Sequence, residues 1–318
     1  MKYGRTYTLK IQTNPLDLDQ MKRFGMAGGS YSQSTPVNTG VQEITITNPL
    51  TIQFTVNTSL LASAHIADIT VYNLGKTLRE LIYKDVTDTR IYRAVTLSAG
   101  YGDQQAVIFR GNILYASSTR IGTEWRTSIH CWDGGYGMNN GESNRSYGQT
   151  TKVATIINDL VKDIPGLRLK YMSPLTATIE KAVCAGKSWN YIVDLWESYT
   201  MDKDGNHGFA YVDREEVFLT TRHEALKTGA VNISADTGLL ETPIKFDTKI
   251  DLKMLFEPFL RIGQLVNVIS EVTEANGLAK IVGMNHSGMI SDAICGDLTT
   301  SLNLWNGKNE PFSTVIIS

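Results

Sequence analysis

The stretch Ala64 to Lys84, AHIADITVYNLGKTLRELIYK, constrains the fold more than any other part of the chain, because a strand runs into a helix with almost no loop. Apolar side chains fall at Ile66, Ile69, Val71 and Tyr72, and the last part alternates with Asp68 and Thr70, as a strand with one buried face requires. Asn73 then supplies a side-chain oxygen to cap a helix in which Leu74, Leu78, Leu81 and Ile82 recur at helical spacing. Gly75 lies too early in that helix to break it. None of these residues is chemically reactive. The unit is architectural, a short helix sealing the end of a β-barrel or sandwich, and it predicts a scaffold.

Composition agrees. A chain of 318 residues has room for two or three domains, and 42% hydrophobic content supplies real cores. The net charge of -2 argues against a dominant nucleic-acid or anionic-membrane surface. Only 19% of residues are charged, while Thr, Ser, Asn and Gly abound. That is the surface of an all-β protein, or of one whose faces are covered by partners. Cys131, Cys184 and Cys295 lie far apart and form no CxxC pair, which fits buried thiols made in a reducing compartment. The N-terminus MKYGRTYTLKIQ lacks the apolar region of a signal peptide, and no run approaches the roughly 18 apolar residues of a membrane helix. The expectation is a soluble protein made in the cytoplasm.

Along the chain, residues 1–132 are dominated by strands. Tyr7–Gln12, the alternating runs Ile44–Ile46 and Ile52–Val56, Ala94–Gly100, Gln105–Phe109, Ile113–Ser117 and Trp125–Trp132 make six or seven. In the last of these, Trp125, Thr127, Ile129 and Cys131 share one face. Gly25–Gly40 is rich in Gly, Ser, Gln and Thr and reads as an exposed loop that orders on assembly. Residues 133–230 change character: DGGYGMNNGESNRSYGQTT reads as a polar linker, followed by helices over Thr151–Ile164 and Ser188–Tyr199. A hairpin of Gly208–Val212 and Val217–Thr221 then turns at Asp213–Glu216. From 231 to 318 β-structure returns in Ile244–Lys249, Asp251–Met254, Leu265–Ile269, GLAKIVGMNHSG and TTSLNLW. The fold class is mainly β, two similar β-barrel domains (1–132 and 231–318) around a small α+β module (133–230).

Chemistry is harder to find. Asp202, Asp204, Asn206 and Asp213 occupy positions one, three, five and twelve of a calcium-loop pattern, but His207 replaces the glycine at six and Asp stands where a bidentate Glu belongs. Whether that loop holds a metal stays open. His130 and Cys131 are adjacent on a strand and point to opposite faces, so they cannot act as base and nucleophile. None of His65, His130, His207, His223 and His286 sits in a ligand spacing such as HExxH. Gly134-Gly135-Tyr136-Gly137 lacks phosphate-loop spacing, and Glu215-Glu216 falls in a turn tip expected to be solvated. No GxSxG or Walker motif occurs. No catalytic, cofactor-binding or metal-binding residues are nominated.

Three segments together resemble the baseplate hub proteins of contractile phage tails and the hub portion of type VI secretion spike proteins. They are IADITVYNLGKTLRELI, VIFRGNILYASSTRIGTEWRTSIHCWDGG and IDLKMLFEPFLRIGQLVNVIS. The resemblance lies in an aromatic-Asn-Leu strand end running into a helix, a Phe-x-Gly-x-Ile strand with a basic-glycine turn and an Asp-Gly finish, and a segment entering the second barrel. It implies a homotrimer whose two barrels per chain form a ring of six similar domains. That ring would join a sixfold tail tube above to a threefold central spike below and open for DNA, with tape measure and wedge proteins as further neighbours. It implies a structural protein of the virion baseplate, with no enzyme activity, cofactor, membrane insertion or sequence-specific nucleic-acid binding. A type VI origin is disfavoured because those hubs commonly continue into a spike in the same chain. The alternatives are a distal, tube-initiating protein of the same tail, or a carbohydrate-binding β-protein.

Overall fold

Alternating apolar side chains build the first β region of the computed structural model, which describes residues 4–13, 42–61, 64–89, 91–203, 205–271, 273–292, 296–307 and 310–315. The strands are β1 (Arg5–Gln12), β2 (Glu43–Thr47), β3 (Ile52–Ser59), β4 (His65–Tyr72), β5 (Ala94–Tyr101), β6 (Gln104–Ile121) and β7 (Glu124–Asp133), with helix α1 (Lys76–Ile82) after β4. All pair antiparallel, in the order β3-β4-β7-β6-β5-β1-β2. Tyr7, Leu9 and Ile11 of β1, Ile52, Phe54 and Val56 of β3, and Ile129 and Cys131 of β7 share one core. Leu74, just before α1, and Ile82, its last residue, join that core, while Leu81 stays exposed. The two strands expected over 105–117 are one, β6, with a register shift between Ile113 and Tyr115 that re-aims it.

Asn73 does not cap α1. The N-cap is Gly75, without a side-chain cap bond. Asn73 adopts φ 55° and clasps β7 instead: its N–H donates to the Trp125 carbonyl at 2.7 Å, and its Oδ1 accepts the Trp125 N–H at 3.0 Å. Asn is among the few residues that tolerate that left-handed backbone, whereas a cap residue sits in extended backbone, so the conformation itself takes Asn73 out of the capping role.

The segment read as a linker is structured. Helix α2 (Gly135–Asn140) and strand β8 (Glu142–Tyr147) lie there, followed by β9 (Thr151–Lys152), α3 (Val153–Lys162), β10 (Arg168–Met172), β11 (Thr178–Ile179), β12 (Ala182–Lys187), α4 (Ser188–Tyr199), β13 (Phe209–Asp213), β14 (Glu216–Thr220) and β15 (Glu224–Ile233). The glycines that suggested a linker are there for close approach. A Cβ on Gly135 would lie 2.2 Å from the Trp132 ring, and one on Gly137 2.6 Å from the Pro165 carbonyl. Val153, Ile156, Ile157 and Leu160 of α3 pack on Trp189, Ile192 and Trp196 of α4 and on Val212, Val217 and Leu219 of the hairpin. Trp196 Nε1 donates to the Thr220 carbonyl at 3.2 Å, which satisfies the indole inside the core.

The last region holds β16 (Ile244–Lys245), β17 (Lys249–Leu255), β18 (Gln264–Val268), β19 (Gly277–Ile290), β20 (Leu298–Trp305) and β21 (Ser313–Val315). Its core joins Leu252, Met254, Val266, Ile281, Leu302 and Leu304 to Tyr211 and Phe218 of the middle region. The two β regions are not separate sheets. β19 pairs with β3 over eight residues, from Gly283 opposite Ser59 to Ile290 opposite Ile52. Among the described residues the main ladder runs open, β16-β17-β20-β19-β3-β4-β7-β6-β5-β1-β2, within a fourteen-stranded sheet. The Gly25–Gly40 loop and Cys295 lie outside the described residues. Among those residues no helix is long and apolar enough to cross a membrane.

Candidate functional site

Buried strand positions drive a set of charged side chains into the place where the three regions meet. Along β7, Thr127, Ile129 and Cys131 are buried, and Asp133 takes the next position of the same parity. His65 opens β4 opposite Asp133 and shares parity with buried Ala67, Ile69 and Val71. From the middle region, β13 ends at Asp213 and turns through Arg214 and Glu215, both left-handed, at φ 57° and 65°. A two-residue hairpin loop of this kind is normally made by Asn and Gly. Here Asp133 compensates, its carboxylate accepting the backbone N–H of Arg214 at 2.5 Å and of Glu215 at 2.7 Å. A side chain of the first β region thus fixes a turn of the middle one.

The last region contributes Arg261, whose Nε and Nη2 donate to Asp213 Oδ2 at 3.0 and 2.5 Å. Arg214 Nε stands 3.9 Å from the other oxygen of Asp213. Tyr92 Oη donates to Glu215 Oε1 at 2.5 Å, and Arg168 pairs with Glu216. Burial would raise the Asp213 carboxyl, but Arg261, then Arg214, outweigh it and hold it below its ordinary value. Asp133 goes the other way: burial first, then the charges of Asp213 and Glu215, push it well above the carboxylate range. Burial likewise raises Glu215 and keeps His65 below its ordinary value, largely neutral. The expectation of a solvated Glu215-Glu216 tip fails, because partners remote in sequence pair with it and cover it in part.

His65 Nδ1 lies 3.9 Å from Asp133 Oδ2, and with Asp213 these residues could present one nitrogen and two oxygens to a metal ion. The surroundings favour a different role. Arg261 and Arg214 already face Asp213 with positive charge, and both Asp133 oxygens accept backbone N–H groups. A cluster that balances its charges internally, with Asp133 and Asp213 only 2% and 6% exposed, is suited to locking modules rather than to turning over a substrate.

The residues weighed from sequence are not assembled into a reactive centre. Asp213 of the calcium-loop pattern is held in this knot by Arg261, whereas exposed Asp202 accepts the Asn206 N–H at 2.7 Å; Asp204 is outside the described residues. Cys131 is buried, its thiol pushed up by burial, while His130 faces outward, 2.5 Å from Asp68 and stacked on Tyr115. The knot itself was missed. Its members are scattered from 65 to 261, yet Asp133 and His65 left a signal: a polar residue at the buried parity of an otherwise apolar strand.

The family model described as baseplate hub gp41 matches residues 34–278. No curated protein sequence matches the chain. Among solved structures, the chain is similar to the 43 kDa tail protein of prophage MuSo2 from Shewanella oneidensis, at 9% identity, over 86% of this chain and 97% of that one, with a TM-score of 0.60. It is also similar to an E. coli component of the type VI secretion system described as resembling the T4 tail proteins gp27 and gp5, at 10% identity, over 85% and 78%, with a TM-score of 0.54. A Francisella PdpA–VgrG complex shows the same likeness, at 11% identity, over 98% of this chain and 54% of that one, with a TM-score of 0.55. At these identities the structural likeness speaks for the fold alone. The family match covers most of the chain, and so the chain belongs to the baseplate hub gp41 family, structural proteins of the phage tail and its baseplate rather than enzymes.

Proposed function

We propose that three copies of this chain form a ring at the centre of the baseplate, each contributing two β-barrels, so that six similar modules face a sixfold tail tube while the assembly keeps the threefold symmetry of a spike. The ring orients the tube, transmits the contraction stroke and opens a path for DNA. Its division into a first barrel (1–132), an α+β module (133–230) and a second barrel (231–318) is supported by the three clusters of buried side chains centred on those segments. Tail tube, spike, tape measure and wedge proteins are its partners in this reading, and it is made in the host cytoplasm before entering the virion. The similarity to a PdpA–VgrG complex supports assembly with other tail components.

The observation that carries the reading is the eight-residue ladder between β3 and β19. Together with the Asp133–Asp213–Arg261 knot it holds two β halves of one chain in fixed relation, which an adaptor between threefold and sixfold symmetry requires. Neighbouring chains would add strands at the open ends of the ladder, β2 and β16. Light scattering on the purified protein, alone and mixed with the spike protein, tests it. The expected mass is three times 35.2 kDa. A single-chain mass at every concentration in both samples would remove the ring.

A further inference from the structure

One face of the main ladder has an unusual chemistry where the two β regions join. β3, β19 and β20 are neighbours, and their register sets Thr55 opposite Ser287, Asn57 opposite Asn285, and Asn285 opposite Ser301. Their inward positions are those of an ordinary core, with Phe54, Val56, Ile290, Leu302 and Leu304 buried. Where the three strands run side by side, at 53–59 of β3, 283–289 of β19 and 299–303 of β20, the outward positions carry only small or uncharged residues: Gln, Thr, Asn and Ser on β3, Gly, Asn, Ser and Met on β19, and Thr, Ser and Asn on β20. Past the register shift at Ile281 and Gly283, Lys280 and Trp305 take the same side but are buried, against Phe209 and against His223 and Phe312. Charge resumes on the flanking strands, with the Asp68–His130 pair on one side and Asp251 and Lys253 on the other.

Solvated faces of antiparallel sheets ordinarily carry Lys and Glu, which keep them soluble and discourage association. A protein interface core would show aromatic and aliphatic anchors, and a sugar platform would show stacking rings; over this stretch the outward side shows no ring and, Met289 apart, no aliphatic side chain. A surface that holds nucleic acid needs Lys and Arg to displace counterions from the phosphates. This face therefore stays wet and holds a polyanion weakly. Its amides are partly tied to each other as well: Asn285 donates to Asn57, and Asn303 donates to Asp251 at 2.7 Å, so fewer donors are offered outward. A shallow depression of about 300 Å³, lined by Asn57, Asn285 and Asn303 among others, opens on the same face.

We infer that the outward face of β3, β19 and β20 is the wall of the central channel, a hydrated and uncharged surface along which the phosphate backbone of DNA slides without being retained. This rests on the ring reading above. It adds which face of the sheet points inward and why that face lacks cations.

Single cysteines test it. Thr55→Cys and Ser287→Cys are compared with Val183→Cys, an exposed position of the middle region, in a background with Cys295→Ser; Cys131 and Cys184 are buried. Each trimer is treated with a short biotin maleimide and then with streptavidin, a rigid protein too bulky for a channel that admits a duplex. The expected result is that all three positions take up biotin but only Val183→Cys binds streptavidin. Streptavidin binding at Thr55→Cys and Ser287→Cys, in particles whose mass is three chains, overturns the channel wall and leaves the ring standing. Failure of even the small maleimide to react there marks a dry contact between copies and also overturns it. A mass of one chain in every sample removes the ring reading, and this inference with it.

Discussion

Replacing Arg261 by Met isolates what the buried knot contributes. Its guanidinium donates to Asp213 at 3.0 and 2.5 Å, and Asp213 is buried. Two unit charges about 4 Å apart attract by about 4 kcal/mol at an effective dielectric near 20. Breaking a buried pair from one side costs about 3–5 kcal/mol, because a carboxylate is left among apolar groups. Two features place this site at the lower end: Arg214 Nε remains 3.9 Å from Asp213, and the carboxyl can take up a proton. The expected loss for Arg261→Met is about 3 kcal/mol. Asp213→Asn leaves Arg261 still facing Glu216 and is expected to cost about 2 kcal/mol. In the double variant neither charge is stranded, so its cost falls short of the sum by at least about 1.5 kcal/mol. Urea unfolding followed by tryptophan fluorescence and by far-UV circular dichroism measures all four proteins. In Arg261→Met the cation that does most to hold Asp213 low is gone, so its pKa rises and the deficit shrinks between pH 7 and pH 5. A single-variant cost under about 1 kcal/mol, or strictly additive energies, refutes the reasoning.

Acid should weaken the fold through His286, which is buried against Phe256 and hydrogen-bonded to Thr300 at 2.8 Å. Burial, then the charge of Arg214, pushes its pKa down to about 3. Between about pH 6.5 and that value the unfolded chain binds a proton the folded one refuses, so stability falls with falling pH by up to about 1.4 kcal/mol per unit. His286→Gln should flatten that slope between pH 6.5 and 4.5 in urea titrations, and an unchanged slope would assign the acid sensitivity elsewhere. Asn73→Ala loses the Trp125 clasp and strains a left-handed backbone, for about 2 kcal/mol, while Asn73→Gly keeps the backbone and costs about 1 kcal/mol. Equal thermal stability of both variants and wild type would show that the clasp contributes nothing.

What was legible in the sequence was local. Helix α4 occupies the expected residues 188–199, and the 209–220 hairpin falls within one residue of its expected ends, because both follow from side-chain periodicity alone. The error at 133–151 came from reading glycine as freedom. Gly135 and Gly137 are required by the Trp132 ring and the Pro165 carbonyl, and no sequence pattern separates a glycine that is crowded from one that is loose. Glu215 and Glu216 were misread for a related reason: the groups that pair with them and cover them in part, Tyr92, Asp133 and Arg168, lie far away in sequence. The β3–β19 ladder is the same problem at the scale of the sheet. Both strands show the right alternation, and nothing in either names the other as its partner.

That ladder also sets a schedule for synthesis. Asn57 and Asn285 face each other across it although 228 residues separate them. At ~5–20 residues per second, a ribosome takes roughly 10–50 s to make the intervening chain. Through that interval β4 can cover one edge of β3, while the other edge presents unpaired backbone above the apolar face of Ile52, Phe54 and Val56. Such an edge is a template for pairing with another nascent chain, and a long sequence separation makes the correct partner slow to arrive. Of the strands that find both neighbours within the chain, the one that unites the two halves therefore waits long for its second.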